Sequence, residues 1–301
     1  MSNEIQETID SYAREQDADI ACYFGNISRD LTNYIIDTCR TRKLRKNIIL
    51  LLNTHGGDPN AAYIISRCFQ QAYKTRKKGF ENESNDRGKF TVVIDGVCKS
   101  AGTLLCLGAD ELVMSGNGEL GPLDIQLLKE DEISERTSGL TPIQAVKFLE
   151  GEAERMFRRT FTSLKLSGMN FSTKMAAQIS TDITTGLFSP IFGQIDPLRV
   201  AEVDRSLRIA QEYGIRLDNG NLKDNKLNAL ISDYPSHGFV IDREETRGLF
   251  NNVLNLTGEL RTISDYGRYL VSAILKDREN CFDFISTQVE DIQEQGENHE
   301  E

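Results

Sequence analysis

The sequence predicts an α/β protein built on a mainly parallel sheet covered by helices. Three observations lead there. Short continuous apolar runs, "NIILLLN" (47–53) and "FTVVI" (90–94), have the pattern of strands buried on both faces. Stretches with helical spacing alternate with them, as β-α-β units require. Two glycine-bearing junctions, "THGGDPN" and "VCKSAG", stand where a strand ends and a helix begins, which is where such sheets bind ligands.

The elements follow in order. Residues 1–18 form a polar, acidic N-terminal arm, loose or helical, without the character of a signal peptide. "DIACYFGNI" (19–27) is a strand, and Ser28 or Asp30 can cap the helix "RDLTNYIIDTCRTRK". After the strand 47–53, "AAYIISRCFQQAYKTRKK" has helical spacing and ends at Gly79, and "GFENESNDRGK" is a polar loop. Ser100 opens the helix that follows strand 90–94, and "ELVMS" (111–115) is a strand again. "KEDEISERTSG" (129–139) is a charged linker or lid, and amphipathic helices dominate from about 141 to 213. "GIRLDNGNLKDN" (214–225) is a second linker, followed by "DYPSHGFVIDREETRGLFNNV" (233–253). A last helix near 258–277 lies in a C-terminal helical extension, 256–285. Its apolar stripe of Leu260, Ile263, Leu270 and Ile274 packs either on its own domain or on a neighbouring copy. Residues 286–301 are an acidic tail expected to be disordered.

With 39% hydrophobic and 27% charged residues, the chain has the composition of a globular protein. No apolar run approaches the ~20 residues that cross a bilayer, so the expected location is cytoplasmic, with no membrane partner. A net charge of −11 argues against nucleic acid. The basic clusters "RTRKLRK" (40–46) and "KTRKKG" (74–79) each follow a helical pattern, where cations complement the helix dipole. Cys22, Cys39, Cys68, Cys98, Cys106 and Cys281 include no CxxC pair and no Cys/His cluster. They are expected to be reduced core residues, with neither disulfide nor metal. No cofactor is expected. The phosphate-loop motif G-x-x-x-x-G-K-[ST] does not occur, so any unfolding ATPase would be a separate partner.

Ser100 is the focus of the candidate chemistry. A serine at a strand-to-helix turn is either a helix cap or a nucleophile whose helix start offers unsatisfied N–H groups to an oxyanion. It is not the nucleophile-elbow motif G-x-S-x-G, because Cys98 holds the first glycine position. Ala101 and Gly102 let the helix approach closely. Gly56 and Gly57, after a buried strand, either make a tight turn or expose N–H groups to a carbonyl substrate. Among the three histidines, His299 lies in the acidic tail, His55 adjoins the glycine turn, and His237 sits among turn residues. His237 is either structural or a general base for Ser100.

Taken together, "LLNTHGGDPNAA", "KSAGTLLCLGADELVM" and "GELGPLD" resemble the Clp-type and signal-peptide-peptidase-type serine peptidases. The likeness is greatest to the serine dehydrogenase proteinases (the SDH family), over 47–126 and more loosely over 233–250. It implies a Clp/crotonase-like domain spanning 19–255, Ser100 as nucleophile, Gly57 and Ala101 N–H groups as oxyanion hole, and a homo-oligomer. His55 and Gly56 would touch the substrate, a peptide or unfolded protein. The chain departs from the family in three places. His55 stands where the turn usually carries proline, and Asp124 stands where Clp peptidases have their histidine. In "HGFVIDREE", His237 occupies the slot of the family's aspartate, two residues before Phe239.

The expected triad is therefore one with its partners exchanged: Ser100, His237, and Asp124 or another carboxylate. Its rival is a Ser–Lys dyad using Lys147 or Lys165. Lys99 is disfavoured because adjacent residues point apart, and Asp182 is a spare carboxylate. The functional classes are a serine endopeptidase working through an acyl-enzyme, a crotonase-type acyl-CoA enzyme, and an inactive oligomeric scaffold.

Overall fold

A computed structural model of the chain describes residues 3–75, 87–123, 126–128, 136–138, 140–274 and 280–287. The chain divides into two compact units, residues 1–123 with 209–301, and residues 124–208.

The first unit carries the sheet. In chain order its elements are α1 (Asn3–Glu15), β1 (Ala18–Gly25), α2 (Asp30–Arg42), β2 (Asn47–Asn53), α3 (Pro59–Ala72), β3 (Phe90–Ile94), β4 (Val97–Cys98), α4 (Ala101–Cys106), β5 (Glu111–Met114) and β6 (Glu119–Leu120). The second unit contributes β7 (Gln126–Leu128), β8 (Arg136–Ser138), α5 (Leu140–Leu166), α6 (Thr173–Phe192) and the start of α7 (Pro197–Leu217). The chain then completes the first unit with α8 (Lys226–Ser232), α9 (Arg243–Leu249), β9 (Val253–Asn255), α10 (Gly258–Ile274) and β10 (Asn280–Phe284).

Six strands form one sheet in the order β10-β1-β2-β3-β5-β9, parallel throughout except for β10, which pairs antiparallel with β1. The parallel order explains the continuous apolar runs, since five consecutive residues of β2 and all five of β3 are buried. Alternation assigns the faces. Ile20, Cys22, Ile49, Leu51, Val93 and Val113 join Ile9 and Ala13 of α1 and Leu260, Ile263 and Tyr266 of α10 in one core. On the other face Phe69 of α3 packs on Phe90 at 5.2 Å, and α3 packs in turn on α2 and α4. Each such large side chain contributes about 1.5–3 kcal/mol by leaving water.

Of its two expected forms the N-terminal arm takes the helical one, docked through Ile9 and Ala13. Several other local expectations need correction. Neither Ser28 nor Asp30 caps α2. Arg29 holds the cap position without a side-chain bond, and the Ser28 hydroxyl instead accepts from Asn280 at 2.8 Å. Helix α3 stops at Ala72, seven residues before Gly79, which lies outside the described residues. The stretch 214–225 is no free linker. Helix α7 runs on to Leu217, whose carbonyl accepts from buried Gln70 at 2.8 Å, and Asn219 binds Asp110 at 2.8 Å. In the stripe of α10, Leu260 and Ile263 bury against the chain's own sheet. Residues 280–284, expected within a helical extension, form an edge strand with Phe282 and Phe284 buried.

In the second unit β7 and β8 pair antiparallel, with Gln126 opposite Ser138, so residues 136–138 of the expected linker form a strand. Helix α6 packs on α5 and is capped by Ser172, whose hydroxyl accepts from the Met175 N–H at 3.1 Å. Among the described residues no helix is long and apolar enough to cross a membrane.

Candidate active site

The site forms at the C-terminal edge of the parallel strands, where a sheet of this type leaves room between loops. Beyond β2 the chain runs alongside β4. The Thr54 N–H donates to the Val97 carbonyl at 2.8 Å, and the Lys99 N–H donates to the Thr54 carbonyl at 3.0 Å. These bonds set the glycine turn beside Ser100.

Ser100 holds the N-cap position of α4, yet its hydroxyl makes no capping bond. Its backbone sits at φ 54° and ψ −116°, a region that residues with a Cβ rarely visit. Such a conformation costs of order 1–3 kcal/mol and persists only where the surroundings impose it. Here they do. The Ser100 carbonyl accepts from the Leu104 N–H at 3.0 Å, and the Gly102 N–H donates to the Lys99 carbonyl at 2.9 Å. The Thr103 hydroxyl sits within 3.2 Å of the Cys98 carbonyl and 2.8 Å of the Gly121 carbonyl, and all six residues of α4 are buried. Close approach is enforced by glycine, since a Cβ on Gly102 would stand 2.5 Å from Thr54 Cγ2.

The glycine turn abuts the serine. A Cβ on Gly56 would lie 2.8 Å from Ser100 Cβ and 3.3 Å from its Oγ. Gly56 and Gly57 have φ of +116° and +142°, so the turn as well as the contact demands glycine. The Ile27 N–H donates to the Gly56 carbonyl, and the Asp58 N–H donates to the Ile27 carbonyl, both at 2.8 Å. In that parallel bridge residue 57 uses neither of its own polar groups toward Ile27, so both face away from it. Gly57 is exposed, and among the described residues neither Gly57 nor Ala101 donates its N–H to a backbone carbonyl. His55, next to the turn, is also exposed.

The loop that carries His237 is tied to this turn by a residue the sequence reading set aside. The Lys99 ammonium donates to the Gly238 carbonyl at 2.9 Å and pairs with Glu119 Oε2 at 3.5 Å. Leu120 and Ile241 exchange two backbone bonds of 2.9 and 3.0 Å, which docks the far end of the same loop. Tyr234 and Phe239 pack on each other at 5.2 Å inside it. Burial, and then Glu245, pushes the Tyr234 phenol upward. His237 itself is half-buried. The one available signal for Lys99 was its standing as the only charged neighbour of the serine.

The remaining candidates are placed otherwise. Asp124 and His299 lie outside the described residues. Lys147 and Lys165 are exposed on α5, the latter donating to the Phe171 carbonyl at 3.1 Å. Asp182 is exposed on α6 and accepts from Gln178. All three belong to the 124–208 unit.

No family model and no curated protein matches the chain. Among solved structures it is similar to a 1510-N membrane-bound stomatin-specific protease, determined as a serine-to-alanine mutant. The match has 16% identity and a TM-score of 0.30, over 54% of this chain and 68% of that one. A likeness at that level fixes neither the fold nor the chemistry.

Proposed function

We propose that the chain is a serine hydrolase of Clp/crotonase-like fold that cleaves peptides or unfolded proteins through an acyl-enzyme on Ser100. One observation carries this reading. The Ser100 hydroxyl is held in a strained backbone conformation against Gly56, and it does not serve the helix it precedes.

In the proposed reaction Ser100 Oγ attacks a substrate carbonyl, and His237 takes its proton. The N–H groups of Gly57 and Ala101 receive the developing oxyanion, a contribution of about 2.7–4 kcal/mol for each donor in comparable sites. His237 then returns the proton to the leaving amine, and water repeats the sequence to release the acyl group. Lys99 acts as a positioning residue. Its ammonium is engaged by Glu119 and the Gly238 carbonyl, a poor setting for a base and a good one for anchoring the histidine loop.

The test is labelling of the folded protein by a fluorophosphonate, with Ser100→Ala, His237→Ala and Lys147→Ala beside the wild type. Loss in the first two with retention in the third is the expected pattern. Loss with Lys147→Ala and not with His237→Ala would replace the histidine by a lysine base. A folded wild type that resists the probe from pH 6 to 9 would leave the scaffold reading in possession.

A further inference from the structure

A second cluster of nucleophilic side chains lies apart from the serine chemistry, on α2 and α3. These helices enclose a cleft of about 540 Å³ whose lining includes Cys39, Arg40, Arg67 and Cys68. That volume is within the roughly 300–1,000 Å³ of small-molecule clefts. Both thiols line this cleft, Cys39 from α2 and Cys68 from α3, and the two helices pack on each other. They differ in access, with Cys39 1% exposed and Cys68 half-buried at the cleft wall. The neighbouring Cys39 side chain, helped by the Arg40 charge, holds the Cys68 thiol below its ordinary value, while Cys68 and burial hold the Cys39 thiol above its own. Arg67 is fixed by a 3.0 Å bond to Gln70 Oε1. Cys98 and Cys106 offer a contrast: their sulfurs stand 3.6 Å apart, but both are sealed in the core.

We propose that this cleft is a thiol–disulfide exchange site for a small carboxylate-bearing disulfide of the glutathione class, with Cys68 attacking and Cys39 resolving. Arg40 and Arg67 supply the positive charge that such a ligand's carboxylates require. The Cys68 thiolate attacks one sulfur of the ligand, its S–S bond breaks, and the first thiol leaves with the proton that Cys68 gave up. The Cys39 sulfur then attacks Cys68, forms the intrachain disulfide, and expels the second thiol, which carries the proton from Cys39. Two protein thiols are oxidised and one external disulfide is reduced to two thiols.

The experiment is incubation of the full chain with oxidised glutathione, followed by intact-mass and peptide analysis under non-reducing conditions. The wild type is expected to become two hydrogens lighter and to yield a Cys39–Cys68 crosslinked peptide. Cys39→Ser should stop one glutathione heavier, with the adduct on Cys68, and Cys68→Ser should remain unchanged at both positions. Replacing Arg40 and Arg67 together by alanine should slow the first step about fivefold, the scale of losing two partly exposed charges, and should leave the rate with uncharged 2-hydroxyethyl disulfide unaltered. A stable mixed disulfide on the wild type overturns the resolving role of Cys39. Equal reaction of Cys68→Ser, or no reaction of a wild type whose circular dichroism is native, overturns the site.

Discussion

Asp19 and Ser100 stand at opposite edges of the same sheet and are treated in opposite ways. Asp19 is the second residue of β1, with 1% of its surface exposed. Its carboxylate accepts from the Leu44 and Arg45 N–H groups at 3.1 and 3.3 Å and from the Tyr73 hydroxyl at 2.8 Å. It also pairs with the Arg45 guanidinium at 3.3 Å. Every nearby group is committed, which is what a buried charge needs in order not to destabilise the fold. Ser100 is treated the other way, with a strained backbone, no capping bond and, among the described residues, Gly57 and Ala101 N–H groups that donate to no backbone carbonyl. One edge commits its polar groups to the fold; at the other the Ser100 hydroxyl makes no capping bond, which the proposed function reads as availability for a substrate.

The contrast breaks most sharply at the serine. Ser100→Ala should abolish fluorophosphonate labelling while changing urea-unfolding stability by less than about 0.5 kcal/mol. Gly57→Ala comes next. Its Cβ would stand 2.1 Å from the Ile27 carbonyl, displacing the proposed oxyanion donor, and the labelling rate should fall about 100-fold or more. At the other edge, Asp19→Ala should cost about 3 kcal/mol in urea and leave the labelling rate of the folded fraction unchanged.

A smaller effect belongs to Tyr73, whose phenol burial and the Asp19 charge push far above its ordinary 10.0. A raised folded-state value means that the unfolded chain alone ionises as pH climbs past 10. Stability from this group is therefore intact below pH 10 and lost above it. Tyr73→Phe should cost about 1 kcal/mol at neutral pH and flatten the alkaline decline. Some decline should persist from Tyr23, raised to about 12 by burial. Of similar size and opposite sign, Ser100→Gly should gain about 1 kcal/mol by relieving the positive φ. No gain there would mean that the serine conformation is not strained.

The sequence made some of this legible and hid the rest for physical reasons. The strands at 47–53 and 90–94 are bounded as their apolar runs suggest, because burial on both faces favours apolar side chains, with Thr91 the buried polar residue of the second. The turn positions of Ser100 and the two glycines were equally plain. Whether the hydroxyl caps α4 depends on backbone angles that no spacing reveals. Strands β4 and β6 are two residues each, too short to carry a period, yet they fix the serine turn. Lys99 and Gly238 lie 139 residues apart, so their bond exists only once the sheet has formed. Strand β10 is hidden although "NCFDF" alternates in the manner of a half-buried edge, because five residues after a long helical pattern carry too short a period to stand out.

The central claim is that an uncapped, strained Ser100 is a nucleophile. Peptide-level mass mapping of the fluorophosphonate-treated native protein tests it most directly. One adduct, on Ser100 and absent after unfolding in urea before treatment, is the predicted result. An adduct on another residue, or an unmodified Ser100 in a protein with native circular dichroism, would contradict it.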